Sequence, residues 1–144
     1  MNNIIKGILA GMIATIVLSI MMIIKAKMQV MPDLNIIAML SEKMDGPMAI
    51  GWAMHFMIGA GYGVLITLLY NKLPTNCGLQ KGMVLGLLGW LMMMVVIMPM
   101  MGQGLFAMSM GIMAPVMTLI LHLIFGVVLG GSYQKLMGSP ASSN

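Results

Sequence analysis

Residues 49–70 read AIGWAMHFMIGAGYGVLITLLY, a run without Lys, Arg, Asp or Glu in which Gly51, His55, Gly59 and Gly63 recur every fourth position. A helix needs about 20 apolar residues to cross a bilayer, and this run is long enough. Spacing by four places the glycines and the histidine on one face, where small residues let a second helix approach closely in lipid. The pattern then returns. His55-x-x-x-Gly59-x-x-x-Gly63 recurs as His122-x-x-x-Gly126-x-x-x-Gly130, Lys6-Gly7-x-x-x-Gly11 as Lys81-Gly82-x-x-x-Gly86, and Tyr70-Asn71-Lys72-Leu73 as Tyr133-Gln134-Lys135-Leu136. Three signatures in the same order predict a duplicated helical hairpin.

Composition agrees with a membrane location. Hydrophobic residues make up 60% of the 144 and charged residues 7%, against roughly a quarter charged in soluble domains. A globule this small leaves much of its surface exposed, so lipid has to cover the apolar excess. Three further segments match the first in length and character: Ile4 to Ile24, Gly82 to Met101, and Gly111 or Ala114 to about Tyr133. The expected fold is an all-α integral membrane protein of four transmembrane helices, arranged as two tandem parallel hairpin repeats. Repeat one covers about 4–73 and repeat two about 81–136, in a single membrane domain spanning 1–144, with a disordered Ser-rich tail at 138–144. The first apolar run is followed by Lys25-Ala26-Lys27 in place of a small-residue cleavage site, which fits an uncleaved helix better than a signal peptide.

The lysines set the expected orientation. Lys6, Lys72, Lys81 and Lys135 fall on the side of the termini with no acid among them. Lys25, Lys27 and Lys43 fall on the other, balanced by Asp33, Glu42 and Asp45. The positive-inside rule then puts both termini in the cytoplasm of a bacterial inner membrane, the reverse orientation being the alternative. Cys77 would face the reducing side, as suits a lone thiol. Between the first two spans, residues 33–45 predict a short amphipathic interfacial helix capped by Asp33, with Ile36, Ile37, Leu40 and Met44 on its apolar face. The net charge of +4 reads as topology and not as a nucleic-acid surface, since no segment interleaves basic and aromatic residues.

Two residue types invite a chemical reading. Histidines on the glycine stripes, His55 and His122, should point into the bundle, and an ionisable residue inside a membrane is a functional hypothesis by default. Of the 23 methionines, only Met1, Met12, Met83 and Met137 fall on the terminus-bearing side. Thioethers and imidazoles suit copper(I), so His55, His122, Met54, Met98, Met101 and Met117 form a candidate metal set on the outer side. Paired histidines on facing helices also suit a b-type haem, although without arginine its propionates would depend on Lys25 or Lys27. The plainer alternatives are methionine as adaptable packing and histidine as interhelical hydrogen-bonding glue, for example to Thr118 or Ser19.

No catalytic motif is present: there is no Walker loop, Rossmann fingerprint or His-Glu-x-x-His, and neither Ser19 nor Thr118 has an activating base in view. The expected role is therefore non-enzymatic, as an accessory or structural subunit of a larger membrane complex or a homo-oligomer. Copper or haem handling is the rival, and a small oligomeric transporter comes third.

The blocks Met31-Pro32-Asp33-Leu34, Gly51-Trp52-x-x-His55, Met98-Pro99-x-x-Gly102-x-Gly104-Leu105-Phe106 and Ala114-Pro115-x-Met117-Thr118-Leu119-x-Leu121-His122 resemble an uncharacterised family of small bacterial four-helix inner-membrane proteins. The resemblance runs from Lys6 to Tyr133. Such proteins are richer in Leu where this chain has Met, which weakens a metal role argued from methionine number. The resemblance implies the four-helix architecture and no particular chemistry.

Overall fold

The computed structural model describes residues 2–31 and 33–138. Four of its helices are long and apolar enough to cross a membrane: α1 (Asn3–Lys27), α3 (Met48–Leu69), the continuous stretch Gly78–Met100, and α6 (Met113–Met137). This is an all-helical, multi-pass membrane protein. At 1.5 Å per residue the 25 residues of α1 extend about 37 Å, beyond the roughly 30 Å of a hydrocarbon core. Large apolar residues such as Ile16, Ile20, Leu68, Leu88 and Ile120 point outward on these spans, where lipid takes the place of a protein core.

Local sequence explains the helix ends. The Asn2 side chain accepts from the Ile4 amide at 3.1 Å and so caps α1, whose last turn carries Lys25 and Lys27 against the negative end of the helix dipole. Short α2 (Ile36–Lys43) is capped by Asn35, which accepts from the Ala38 amide at 3.1 Å. That corrects the expected cap, since Asp33 lies two residues too early and the helix is shorter than 33–45. Of the expected apolar face, Ile37 and Leu40 are buried within the protein and Met44 is exposed, while Ser41 is buried against Gly51 of α3. The third span starts at Gly78 and not Gly82. It runs as α4 (Gly78–Met92), widens to a π-helical turn at Met93–Ile97, and closes with the single turn α5 (Met98–Met100). Residues 139–144 of the expected tail lie outside the described residues.

Packing divides the bundle into two tight hairpins. The most extensive contacts join α4 to α6 and α1 to α3; α1 against α6 joins the hairpins, while α3 touches α4 and α6 only slightly. Glycine backbones meet inside each hairpin. A Cβ placed on Gly7 or Gly63 would overlap the other's carbonyl oxygen, and one on Gly11 would overlap that of Gly59. In the second hairpin Gly82 faces Gly126 in the same way, and Gly130 faces Gly78. Only residues without a Cβ permit this approach, which brings whole rows of atoms into dispersion contact.

Each end of the bundle is then sealed differently. At the terminus-bearing end Tyr70 and Tyr133 meet edge to face at 4.9 Å, the Lys81 ammonium sits 4.0 Å above the Tyr70 ring, and Lys81 also donates to the Tyr70 carbonyl. At the other end the 3₁₀ segment Leu105–Met110 folds back over the second hairpin. It buries Ala107 with Met94, Met98 and Ala114 and sets Phe106 against Trp90 at 5.7 Å.

Replacing Gly126 by Leu should cost about 3 kcal/mol or more, the scale of overpacking a tight contact, whereas Gly61→Leu, at a position where an added Cβ meets nothing, should be tolerated. Denaturant titration of both variants in mixed micelles checks the contrast. Equal losses would remove the glycine contact from its central role.

Candidate functional site: a chamber between the hairpins

Above the glycine contacts the stripes change character. Gly11 on α1 is followed one turn later by Thr15, and Gly86 on α4 by Trp90. On α3 and α6 the residues one turn before Gly59 and Gly126 are His55 and His122. Helices that touch through glycine are held apart where these larger side chains begin, and a chamber of about 140 Å³ occupies the gap. All four long helices contribute to its wall, including Thr15 from α1, His55 and Tyr62 from α3, Gly89 from α4, and Thr118 and His122 from α6. Apolar side chains such as Leu18, Leu121 and Phe125 make up most of the remaining surface. The chamber is partly open. Ile58 and Met92, both lining it and both exposed, mark a mouth where α3 and α4 fail to close on each other.

Hydrogen bonding inside the chamber is specific. His122 Nδ1 lies 2.8 Å from the Thr118 carbonyl oxygen. A carbonyl only accepts, so Nδ1 carries the proton and the neutral ring keeps its lone pair on Nε2. His55 is 8% exposed, and its Nε2 is buried without any hydrogen-bond partner. Trp52 and Phe56 flank its ring at 6.2 and 6.0 Å. Neither histidine makes a hydrogen bond to another helix among the described residues, and Ser19 instead donates to Thr15 O in its own helix at 2.7 Å. The interhelical polar bond here belongs to Trp90, whose Nε1 donates to Pro115 O and Thr118 Oγ1, each at 3.1 Å.

Residues 1–144 match a family of unknown function, DUF6789. The chain belongs to that family. No curated protein and no solved structure matches it. In this DUF6789 chain the chamber is where side chains from all four long helices meet.

The sequence-derived candidates scatter. His55 and His122 come together on the chamber, but Met54, Met98, Met101 and Met117 do not line it. Met98 is fully buried in the cluster under the folded-back 3₁₀ segment. The thioethers that do line the chamber belong to Met22, Met92 and Met93. Among the described residues no three His, Cys, Asp or Glu side chains gather as a metal site. Tyr62 was not singled out from sequence as part of a site, and Lys25 entered only as a counter-charge for haem propionates. Tyr62 had a usable signal, because it stands seven residues from His55 and three from Gly59, on the same helical face. Lys25 reaches the chamber through the fold. Its ammonium turns back under the bundle to donate to Met31 O at 2.9 Å and Leu34 O at 2.6 Å, a fold-dependent contact.

Because His55 leaves a buried nitrogen unpaired, His55→Leu should hold or raise stability, by up to about 2 kcal/mol, the penalty of an unsatisfied buried polar group. Trp90→Phe, which deletes a real interhelical donor, should lower it by about 1 kcal/mol or more. Thermal unfolding in detergent distinguishes the two, and a marked loss for His55→Leu would restore histidine as glue.

Proposed function

We propose that this is a non-enzymatic, ligand-binding protein of a bacterial inner membrane, which holds a compact ligand from the lipid phase in the chamber between its hairpins. One observation carries it: His55, whose Nε2 is buried and unpaired, lines the same chamber as His122, whose Nε2 lone pair is left free. Buried polar atoms in folded proteins nearly always find partners, and an unpaired one costs free energy that a ligand hydrogen bond would recover.

Size and charge narrow the occupant. A cavity of about 150 Å³ holds a benzene molecule, so a chamber of about 140 Å³ suits a single ring and falls well short of a porphyrin. Lys25 lines the same chamber, while Asp33, Glu42 and Asp45 are all exposed outside it. A copper(I) ion would sit near an ammonium with no carboxylate to offset its charge, at a depth where screening is weak. An uncharged ligand with hydrogen-bonding capacity fits better than either cofactor.

In this proposal both termini are cytoplasmic, α2 lies along the outer interface, and the hairpins are the two tandem repeats signalled by the recurrent motifs. An accessory role beside a larger membrane complex is compatible with it, the partner supplying or consuming the ligand.

Native mass spectrometry of the protein released from its own membranes in mild detergent should show a small-molecule adduct that is lost in the His55→Leu/His122→Leu double variant. A bare chain in both samples would count against a binding role. For orientation, Cys77 in spheroplasts should react with a membrane-impermeant maleimide only after the membrane is permeabilised; labelling of intact spheroplasts would reverse the topology.

A further inference from the structure

The binding role proposed above gains a ligand class from the polar atoms of the chamber that are both open and uncommitted. Most are engaged already. Thr15 Oγ1 donates to Gly11 O at 2.8 Å, and Thr118 Oγ1 donates to Ala114 O at 2.8 Å while accepting from Trp90 Nε1 at 3.1 Å. Lys25 gives two of its three ammonium protons to Met31 O and Leu34 O. His55 Nε2 is fully enclosed. Two atoms remain. The Tyr62 hydroxyl and His122 Nε2 carry no hydrogen bond among the described residues, and neither is enclosed as His55 Nε2 is, so both border open space.

These two atoms ask for opposite things. The Nδ1 proton of His122 is held by Thr118 O, so its Nε2 offers a lone pair, whereas the Tyr62 hydroxyl offers a proton. They also come from different walls. His122 stands on α6, while the Tyr62 hydroxyl reaches from α3 to α4, where a Cβ on Gly89 would overlap it. A matching head group carries one donor and one acceptor on separate atoms.

Charge and access define the rest of the ligand. Among the described residues Lys25 is the one charged group that lines the chamber, so electron-rich oxygen is favoured there. Ile58 and Met92 at the mouth are 42% and 57% exposed, and both stand well inside their spans, where the surroundings are hydrocarbon. A bare charge is costly in hydrocarbon, so a ligand using this mouth enters uncharged and leaves its tail in lipid. Space for about one six-membered ring takes a small head group and the first carbons of a chain.

We infer that the chamber binds the protonated carboxyl group of a single-chain fatty acid. The acid O–H donates to His122 Nε2, its carbonyl oxygen accepts from the Tyr62 hydroxyl, the first methylenes pack among Leu18, Leu121 and Phe125, and the tail leaves between α3 and α4. A carboxyl group supplies donor and acceptor on separate atoms while uncharged, and its oxygens suit the nearby ammonium.

The test measures binding of four probes with the same chain to the full protein in lipid nanodiscs, with uptake by empty nanodiscs subtracted: decanoic acid, methyl decanoate, decanol and decanamide. The acid should bind roughly tenfold or more tightly than the ester, which lacks the donor, and more tightly than the other two. Tyr62→Phe removes one oxygen atom and should weaken acid and ester alike by about fivefold, as expected for one hydrogen bond. His122→Leu should erase the preference for acid over ester while the ester still binds, with helicity and unfolding temperature confirming that each variant folds. An ester, alcohol or amide that binds as tightly as the acid, or a preference for acid over ester that survives His122→Leu, overturns the assignment. Equal binding of all four probes, blocked by Met92→Trp at the mouth, overturns the carboxylic acid but keeps the chamber as a binding site. If no probe binds beyond the empty-nanodisc level the acid is overturned too, and the adduct sought by native mass spectrometry then decides the binding role.

Discussion

Backbone contact between glycines is the constraint on which this structure depends. In water, helices associate because burial of apolar surface is favourable; in lipid the surroundings are as apolar as the side chains, and that gain largely disappears. What remains is dispersion at close range, and its extent depends on how near two backbones can come. Gly7 with Gly63 and Gly11 with Gly59 bring α1 onto α3, and Gly82 with Gly126 and Gly78 with Gly130 bring α4 onto α6. Both contacts lie toward the terminus-bearing end. Toward the other end the stripe positions carry Thr15, Trp90, His55 and His122, and the helices cannot keep the same separation. The chamber lies where these larger side chains interrupt the glycine stripes.

Polar groups inside the bundle follow a second constraint, which is that the hydrocarbon region offers no water. Ser19, Thr15 and Thr118 turn their hydroxyls onto carbonyls one turn back in their own helices. Lys25 donates to the Met31 and Leu34 carbonyls and Lys81 to that of Tyr70. Trp90 ties α4 to α6 beside the chamber. These bonds consume the protons of the Thr15, Ser19 and Thr118 hydroxyls and of His122 Nδ1. His55 stands out against this background, since nothing in the bundle answers its Nε2. The π-helical turn at Met93–Ile97 contributes Met93 and Ile97 to the chamber wall, and such turns are frequent beside functional sites.

Much of the architecture was legible in the residues. Hydropathy and length marked the four spans, because a helix in lipid must be apolar over its whole crossing. The spacing of four put glycines and histidines on shared helix faces, and both histidines line the chamber. Less was legible where distant residues compete for the same role. Asn35, and not Asp33, caps α2, because packing of Ile37, Leu40 and Ser41 against α3 sets where that helix begins. The methionines looked like one outer cluster by position along the chain. In space Met94 and Met98 join a core under the folded-back segment, Met22, Met92 and Met93 line the chamber, and others such as Met57 and Met100 are exposed.

The sequence by itself determined that this protein spans a membrane four times and which helix faces carry its small residues and histidines. Both properties belong to single segments: the bilayer reads hydropathy along the chain, and helical periodicity converts spacing into direction. Only the tertiary structure decided that the two histidines share one chamber, that Thr15, Tyr62 and Lys25 join them, and that the chamber opens between α3 and α4. Those outcomes depend on how closely two separate hairpins approach and where they part. No local pattern encodes that separation, because it is set by contacts between residues as far apart in the chain as Thr15 and His122.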